Sequence, residues 1–374
     1  MGEFTIAVLP GDGIGPEVVS QGVRVIEGVG ARFKHRFHLK NGLLGGVAIE
    51  QHGMPLPGET VDLCRSAGAV LVGAVGDSRW DHLPPPQKAE AGLTLLRREL
   101  GIFVNLRPIK VFHHLENCTP FKSEVILGVD FIIAREMMGG VIHGKPRGMW
   151  RTARGRRAVN TIKYSEPQVD EFLRVVFEVA RGRRSHLGLA IQDNVLETSQ
   201  LWRQVCAGIP EEYPEVTVDY MYPDACAMQL IRNPAEFDVL AMDNLLTAGM
   251  LNDQGAAIMG SMGMTASAEM NPRRKTRQAG EGVLAGAFGL YEPVHGSAPK
   301  YRGQNKVNPI ATILSVALML RYSLNLYAEA EGVESAIEMA LERGYRTYDI
   351  MEHGRQQVTT DGMGEVVVSA LLEG

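Results

Sequence analysis

Residues 4–17 read FTIAVLPGDGIGPE. An apolar run over Phe4–Leu9 ends in Gly11, Gly13 and Gly15, so a buried strand meets a tight turn. Pro16 then stands at the start of PEVVSQGVRVIEGVG (16–30), whose apolar spacing is helical. The turn spells GxGxG, not the GxGxxG of the common dinucleotide-binding fingerprint, so that fold is not indicated. The strand–turn–helix alternation continues outward. TVDLCRSAGAVLVGAVG (60–76) reads as helix, turn and buried strand, and LTLLRRELGIFVNLRP (93–108) as a helix and an extended piece. SEVILGVDFIIARE (123–136), HLGLAIQDNV (186–195) and FDVLAMDNLL (237–246) each hold a further strand. Residues 165–184 form an amphipathic helix with a basic end, and PIATILSVALMLRYS (309–323) an apolar one. Strands alternating with helices predict an α/β protein with largely parallel sheets.

The chain has 374 residues, 45% hydrophobic and 22% charged, which suits a globular protein of about two domains. A net charge of −5 supplies no general basic field, so no nucleic-acid partner is expected. The start, MGEFTIAVLPGDGIG, lacks a basic segment followed by an apolar core, so no secretory signal is expected. No apolar run reaches about 18 residues, so no membrane partner is expected either. Cys64, Cys118, Cys206 and Cys226 form no CxxC pair and fit buried thiols in a reduced, cytoplasmic setting.

Three segments break the alternation. HGSAPKYRGQNKVNP (295–309) has too many breakers for a helix or buried strand, and its cations suit either a solvated loop or a nest for a phosphate-bearing ligand. KPRGMWRTARGRR (145–157) holds six basic residues and reads as a solvated arm or intersubunit hairpin before a nucleic-acid site. Residues 264–288, with NPRRKTR, read as a long connection.

LPGDGIGPE, NLRP (105–108), ARE followed by GG (134–140), YPDACAMQLIRNP (222–234), LYEPVHGSAP (290–299) and NPIATILS (308–315) occur in that order. With them the chain resembles the β-decarboxylating dehydrogenases, the isopropylmalate and isocitrate dehydrogenases among them, over nearly its whole length. The resemblance implies an α/β two-domain fold, with a cofactor-binding domain at 1–102 plus 260–374. A substrate and dimerisation domain would span 103–259, with an arm near 137–160. It also implies a homodimer with shared interdomain sites and a small anionic, malate-like substrate.

The resemblance implies a cofactor site of Glu292, His295, Gly296, Ser297, Ala298, Lys300, Tyr301, Val307, Asn308 and Tyr348. NAD-using members carry an aspartate and then an aliphatic residue where Lys300 and Tyr301 stand. An ammonium and two phenols suit a phosphate dianion, so the expected cofactor is NADP. Glu352 stands where the family has an arginine, and Arg302 or Arg355 would have to supply that charge. Arg97, Arg107 and Arg135 match the family's substrate arginines, whose forks take carboxylates at two points. Glu90 matches a glutamate typical of isopropylmalate dehydrogenases, and Thr94 suggests a smaller or more polar substituent than isopropyl.

The catalytic pattern departs from the family. Gln192 occupies the position of its lysine and Ile142 that of its tyrosine, and neither moves a proton at neutral pH. Asp224 and Asp253 match two metal carboxylates, while Ala248 or Gly249 falls where a third belongs, so Mg2+ or Mn2+ is in doubt. Asp193 and His143 adjoin the altered positions as replacement groups. The leading expectation is therefore an NADP(H)-dependent oxidoreductase with altered, metal-independent, non-decarboxylating chemistry in a specialised biosynthetic pathway. The alternatives are a non-catalytic regulatory homologue and an isopropylmalate-type decarboxylating dehydrogenase with substitute residues. The basic run at 273–277 reads as a solvated loop first, and second as a loop that reaches the opening of the site, since the segments on either side of it lie near the cofactor in the family.

Overall fold

The computed structural model describes residues 1–243, 246–277 and 280–374, with the backbone alone at Leu246. Residues 244–245 of the altered metal segment and 278–279 of the basic segment lie outside the described residues. In chain order the strands are β1 (Glu3–Gly11), β2 (Arg36–Asn41), β3 (Ala69–Ala74), β4 (Val104–Lys110), β5 (Asp130–Glu136) and β6 (Gly148–Thr152). They continue with β7 (Gly155–Val159), β8 (His186–Ala190), β9 (Thr217–Met221), β10 (Val239–Met242), β11 (Ala266–Lys275) and β12 (Ala287–Pro293). The chain divides into two compact units, Met1–Ile102 with Val111–Ser123 and Ala256–Gly374, and Phe103–Lys110 with Glu124–Gly255.

In the first unit the strand order is β2-β1-β3-β12-β11. Parallel pairing runs from β2 to β12, and β11 closes the set antiparallel to β12. Every residue of β3 is buried, as an unbroken apolar run requires when both faces of a parallel strand are covered. The helix Gly15–Phe33 starts with Pro16 in its first turn and packs on the helices Ile310–Tyr322 and Thr360–Glu373. Ile310–Tyr322 is apolar all round and buried almost throughout, the behaviour expected of a central helix. Val111–Ser123, assigned from the sequence to the other domain, belongs here. Arg346 donates to the His114 carbonyl at 2.6 Å, and the Cys118 thiol to the Ile350 carbonyl at 3.1 Å.

The reading of 264–288 as one long connection needs correction. Ala266–Lys275 is a strand, paired with β12 from Ala266↔Pro293 to Lys275↔Ala287. Pro272 and the following cations hid it, because proline is uncommon in strands. Here the register shifts between Asn271 and Lys275, a bulge that admits the missing N–H.

In the second unit the order is β4-β5-β10-β8-β9. β4 and β5 pair antiparallel, and the rest are parallel. The helix Glu166–Arg181 opens on a capping box between Ser165 and Gln168 and buries Val169, Phe172, Leu173, Val176 and Phe177. The basic segment near 145–157 forms the exposed two-stranded ribbon β6–β7. All four cysteines are free, and burial pushes the Cys64 and Cys226 thiols up to about 12. Among the described residues no helix is long and apolar enough to cross a membrane.

Candidate active site

The GDGIG turn is a junction of backbone segments. Gly11 and Gly13 adopt φ of 73° and 56°, and a Cβ there would stand 2.1 Å from the Ala74 carbonyl oxygen and 2.0 Å from that of Ser297. No side chain fits either place, so the spacing of the glycines follows from close approach of chain to chain. Asp12 between them is buried. Its carboxylate accepts from the N–H groups of Gly46 (2.8 Å), Val47 (2.9 Å) and Gly76 (2.9 Å). Ile14 N–H donates to the Ser297 carbonyl at 2.9 Å, which ties the turn to the 295–309 loop.

That loop gathers a cationic, phenolic cluster. The Tyr301 and Tyr348 rings lie 6.0 Å apart, and the Lys300 ammonium is 4.7 Å from the Tyr301 ring centre. Lys306 joins them, 4.3 Å from the Tyr301 ring and 5.4 Å from that of Tyr348. Sequence reading missed Lys306, whose only local signal was its place in a cation-rich loop. Glu352 turns to Arg346 at 3.4 Å, and Lys306 stands by the two rings as a further cation in addition to the expected Arg302 and Arg355. Hydrogen bonding and charge from Lys300, with help from Tyr348 and Lys306, hold the Tyr301 phenol below its ordinary value. Val307 packs with Ile14 and Val18 beneath Tyr301, and Ala298 adopts a left-handed φ of 36°. The Asn308 side chain is occupied by Asp349 (3.2 Å) and the Ile310 N–H (3.0 Å). Gly296 is exposed and Ser297 buried. His295 contacts the Gly296 carbonyl through Nδ1 at 3.0 Å, and its buried Nε2 has no partner among the described residues. Burial lowers its pKa, which keeps the imidazole neutral and leaves one nitrogen for a ligand.

Arg97, on the helix Ala89–Glu99, does not present an open fork. Its Nε and Nη2 reach Glu269 at 2.6 and 2.8 Å, and Nη2 also reaches Glu292 at 2.7 Å. Burial works against its charge, and the two carboxylates more than offset this. Glu292, expected at the cofactor, contacts Arg97 through Oε1, and Glu269 is a partner that the sequence did not reveal. On the same helix Glu90 is exposed, and the Thr94 hydroxyl points back to the Glu90 carbonyl at 3.5 Å.

In the second unit Arg107 on β4 and Arg135 on β5 are buried. Arg107 faces Ile133 in the register and Arg135 faces Asn105, so both arginines project from one face. Arg107 Nε donates to Asn105 at 3.2 Å. Glu136, next on β5, is buried and accepts from the N–H groups of Met138 (2.6 Å) and Gly139 (2.9 Å). Burial nonetheless raises it from 4.5 to about 7. Burial also raises Asp243 at the end of β10.

Asp243 and Gln192 line one cavity of about 30 Å3 together with Tyr164, Ser199, Trp202 and Thr247. The Gln192 amide donates to Asn194 at 2.6 Å. Asp193 is not in that lining. Its carboxylate pairs with Arg203 at 2.7 Å, and Arg203 in turn stacks 4.4 Å from the Tyr220 ring. The expectation of Asp193 as a replacement group meets this ion pair, which occupies one of its carboxylate oxygens. Ile142 and His143 lie in the short helix Gly140–His143. The Ile142 carbonyl accepts from Arg147, and His143 Nε2 contacts the Met137 carbonyl at 3.1 Å.

Asp224 is exposed in the first turn of the helix Pro223–Arg232, and Asp253 is exposed on the helix Leu246–Ile258. Among the described residues no three His, Cys, Asp or Glu side chains stand together as a metal site. The resemblance divides that set between two subunits, so one chain does not complete it. Carboxylates remain the donors that a hard divalent ion takes.

Residues 5–367 match the isocitrate/isopropylmalate dehydrogenase family. The 3-isopropylmalate dehydrogenase of Carboxydothermus hydrogenoformans is 44% identical over 100% of this chain and 96% of its own length. That of Moorella thermoacetica is 45% identical over 99% and 100%. Among solved structures, isocitrate dehydrogenase from Methylococcus capsulatus superposes with a TM-score of 0.83 at 27% identity, covering 99% of each chain. A β-decarboxylating dehydrogenase from Thermococcus kodakarensis gives 0.75 at 27% identity, covering 99% of this chain and 96% of its own. With its sheet, its motif order and these relatives in agreement, the chain belongs to the isocitrate/isopropylmalate dehydrogenase family.

Proposed function

We propose that this chain is an NADP(H)-dependent dehydrogenase that oxidises a small, malate-like hydroxy acid, working in the cytoplasm as a homodimer. The observation that carries the cofactor reading is the Lys300–Tyr301–Lys306–Tyr348 cluster, two ammonium groups and two phenols within 6.0 Å contacts. Charged donors of this kind favour a phosphate dianion. The partnerless Nε2 of His295 fits a cofactor passing along the same loop. Hydride acceptance by the nicotinamide is the chemistry the cofactor supplies when bound.

The relatives favour isopropylmalate-type oxidative decarboxylation over the altered, non-decarboxylating chemistry that the sequence suggested. Nor do they support the doubt about a divalent metal, which Asp224 and Asp253 would help hold. Gln192 and Ile142 then need substitutes. Asp243 shares the Gln192 cavity, which has room for little more than one water, and burial raises its proton affinity, so it is the candidate to take the substrate hydroxyl proton through such a water. Tyr164 in the same lining is a candidate proton donor. One observation favours the second reading, altered chemistry or binding alone. The Gln192 amide, in the position of a catalytic lysine, is tied to Asn194 and carries no titratable proton.

The deciding experiment supplies isopropylmalate, Mg2+ and either NADP or NAD to the purified protein and follows reduced cofactor and released CO2. Turnover with NADP that Asp243→Asn reduces by about 10²–10⁴-fold supports the first reading. Tight NADP binding without turnover leaves the second.

A further inference from the structure

The run Arg273–Arg277 lies at the other end of the sheet from the GDGIG turn and the 295–309 loop. β11 runs antiparallel to β12, with Lys275 against Ala287 and Ala266 against Pro293, so the cations sit where β12 begins. His295 follows the strand's far end, roughly 20 Å away at about 3.3 Å per residue. The strand direction therefore goes against the reading of a loop that reaches the opening of the cofactor site.

At this end a cavity of about 290 Å3 opens between the start of β1, the turn before β3 and the start of β12. Its lining includes Arg65, Ser66, Arg274, Lys275, Arg277 and Phe288. Glu3 is the acidic residue in the lining, and its carboxylate is bonded to His38 at 2.5 Å. Arg65 is paired with Glu99 at 2.8 Å. No carboxylate of the described residues pairs with Arg274, Lys275 or Arg277.

Neutral groups hold two of these cations. The Arg274 guanidinium lies 3.6 Å from the centre of the Phe288 ring and donates to the Arg65 carbonyl. Lys275 Nζ donates to the carbonyls of Val283 (2.6 Å) and Ala285 (3.1 Å). Carbonyls and an aromatic face orient a cation without cancelling it. A concave site lined this way keeps a positive potential although the whole chain carries −5. Burial and the neighbouring Arg65 charge lower the Arg274 pKa, in keeping with a cation short of a counter-charge.

We propose that this cavity is a second ligand site, which binds a small phosphate-bearing anion apart from the dehydrogenase site. Guanidinium forks match phosphate oxygens in pairs. The volume lies at the small end of ligand pockets, about 300–1,000 Å3, which suits a compact metabolite.

Calorimetry with inorganic pyrophosphate tests this on the full chain, with NADP kept saturating so that the 295–309 loop does not contribute. One pyrophosphate per chain is expected. Arg274→Gln and Arg277→Gln each weaken binding about tenfold, the usual worth of a charged hydrogen bond. Arg274→Lys retains most of it, and Lys300→Gln leaves it unchanged. Exposed Arg277 provides the test if the Arg274 variant does not fold. Absence of saturable binding to the wild type, or a double variant within about twofold of it, overturns the proposal.

Discussion

Replacing Arg97 by methionine separates a structural brace from an open substrate fork. The guanidinium makes three short contacts to Glu269 and Glu292, whose side chains are 0% and 10% exposed. Methionine preserves much of the stem and removes the charge that both carboxylates face at short range. Breaking a buried ion pair from one side typically costs about 3–5 kcal/mol, against about 0–1 for an exposed pair. Urea m-values are about 1–3 kcal/mol/M for small proteins and larger for longer chains, so at about 3 kcal/mol/M or somewhat more the unfolding midpoint should fall by roughly 1 M. Arg97→Met combined with Glu269→Leu and Glu292→Leu should recover part of that loss, since an apolar set of similar volume replaces the three charges together. The assay is equilibrium urea unfolding followed by fluorescence and circular dichroism. A midpoint shift below about 0.3 M for Arg97→Met, the range of a surface pair, would refute the brace and return Arg97 to the substrate.

Glu136 gives a pH signature. Its folded pKa is raised to about 7, so between about 4.5 and 7 the folded chain keeps a proton that the unfolded chain has lost. Its contribution to stability is present at low pH and disappears as pH rises through 7, a change of about 3 kcal/mol at most. Glu136→Gln should flatten that slope, and equal slopes in thermal melts would remove the assignment. Lys300→Asp with Tyr301→Ile should reverse the preference for NADP over NAD in calorimetry, whereas equal affinities in the parent protein would sink the cofactor reading. Gln192→Lys should raise isopropylmalate turnover if Asp243 is a weak substitute, and no change in rate would favour a route that needs no group at that position.

The elements were legible wherever burial leaves a local trace. β3, β5 and the helix Ile310–Tyr322 announce themselves as apolar runs, and Glu166–Arg181 by its spacing and its Ser165 cap. Strand–helix alternation with such runs leaves little but a largely parallel α/β architecture, and the ordered motifs carried the resemblance. Of the candidate site residues, Lys300, Tyr301 and Tyr348 were named from recognisable segments, and the structure brings the three together.

Only the tertiary structure decided what those residues touch. The glycines of GDGIG, legible as a tight turn after a strand, clear space for Ala74 and Ser297, with Asp12 binding three distant N–H groups. Arg97 meets Glu269 across 172 residues of sequence, Lys306 folds back onto Tyr348, and Asp193 turns to Arg203 while Asp243 joins Gln192. Local spacing encodes which face of a strand or helix is apolar, since that depends on neighbours two to four positions away. The partner of a buried charge is chosen by strand order and register, which place residues side by side without regard to their separation along the chain.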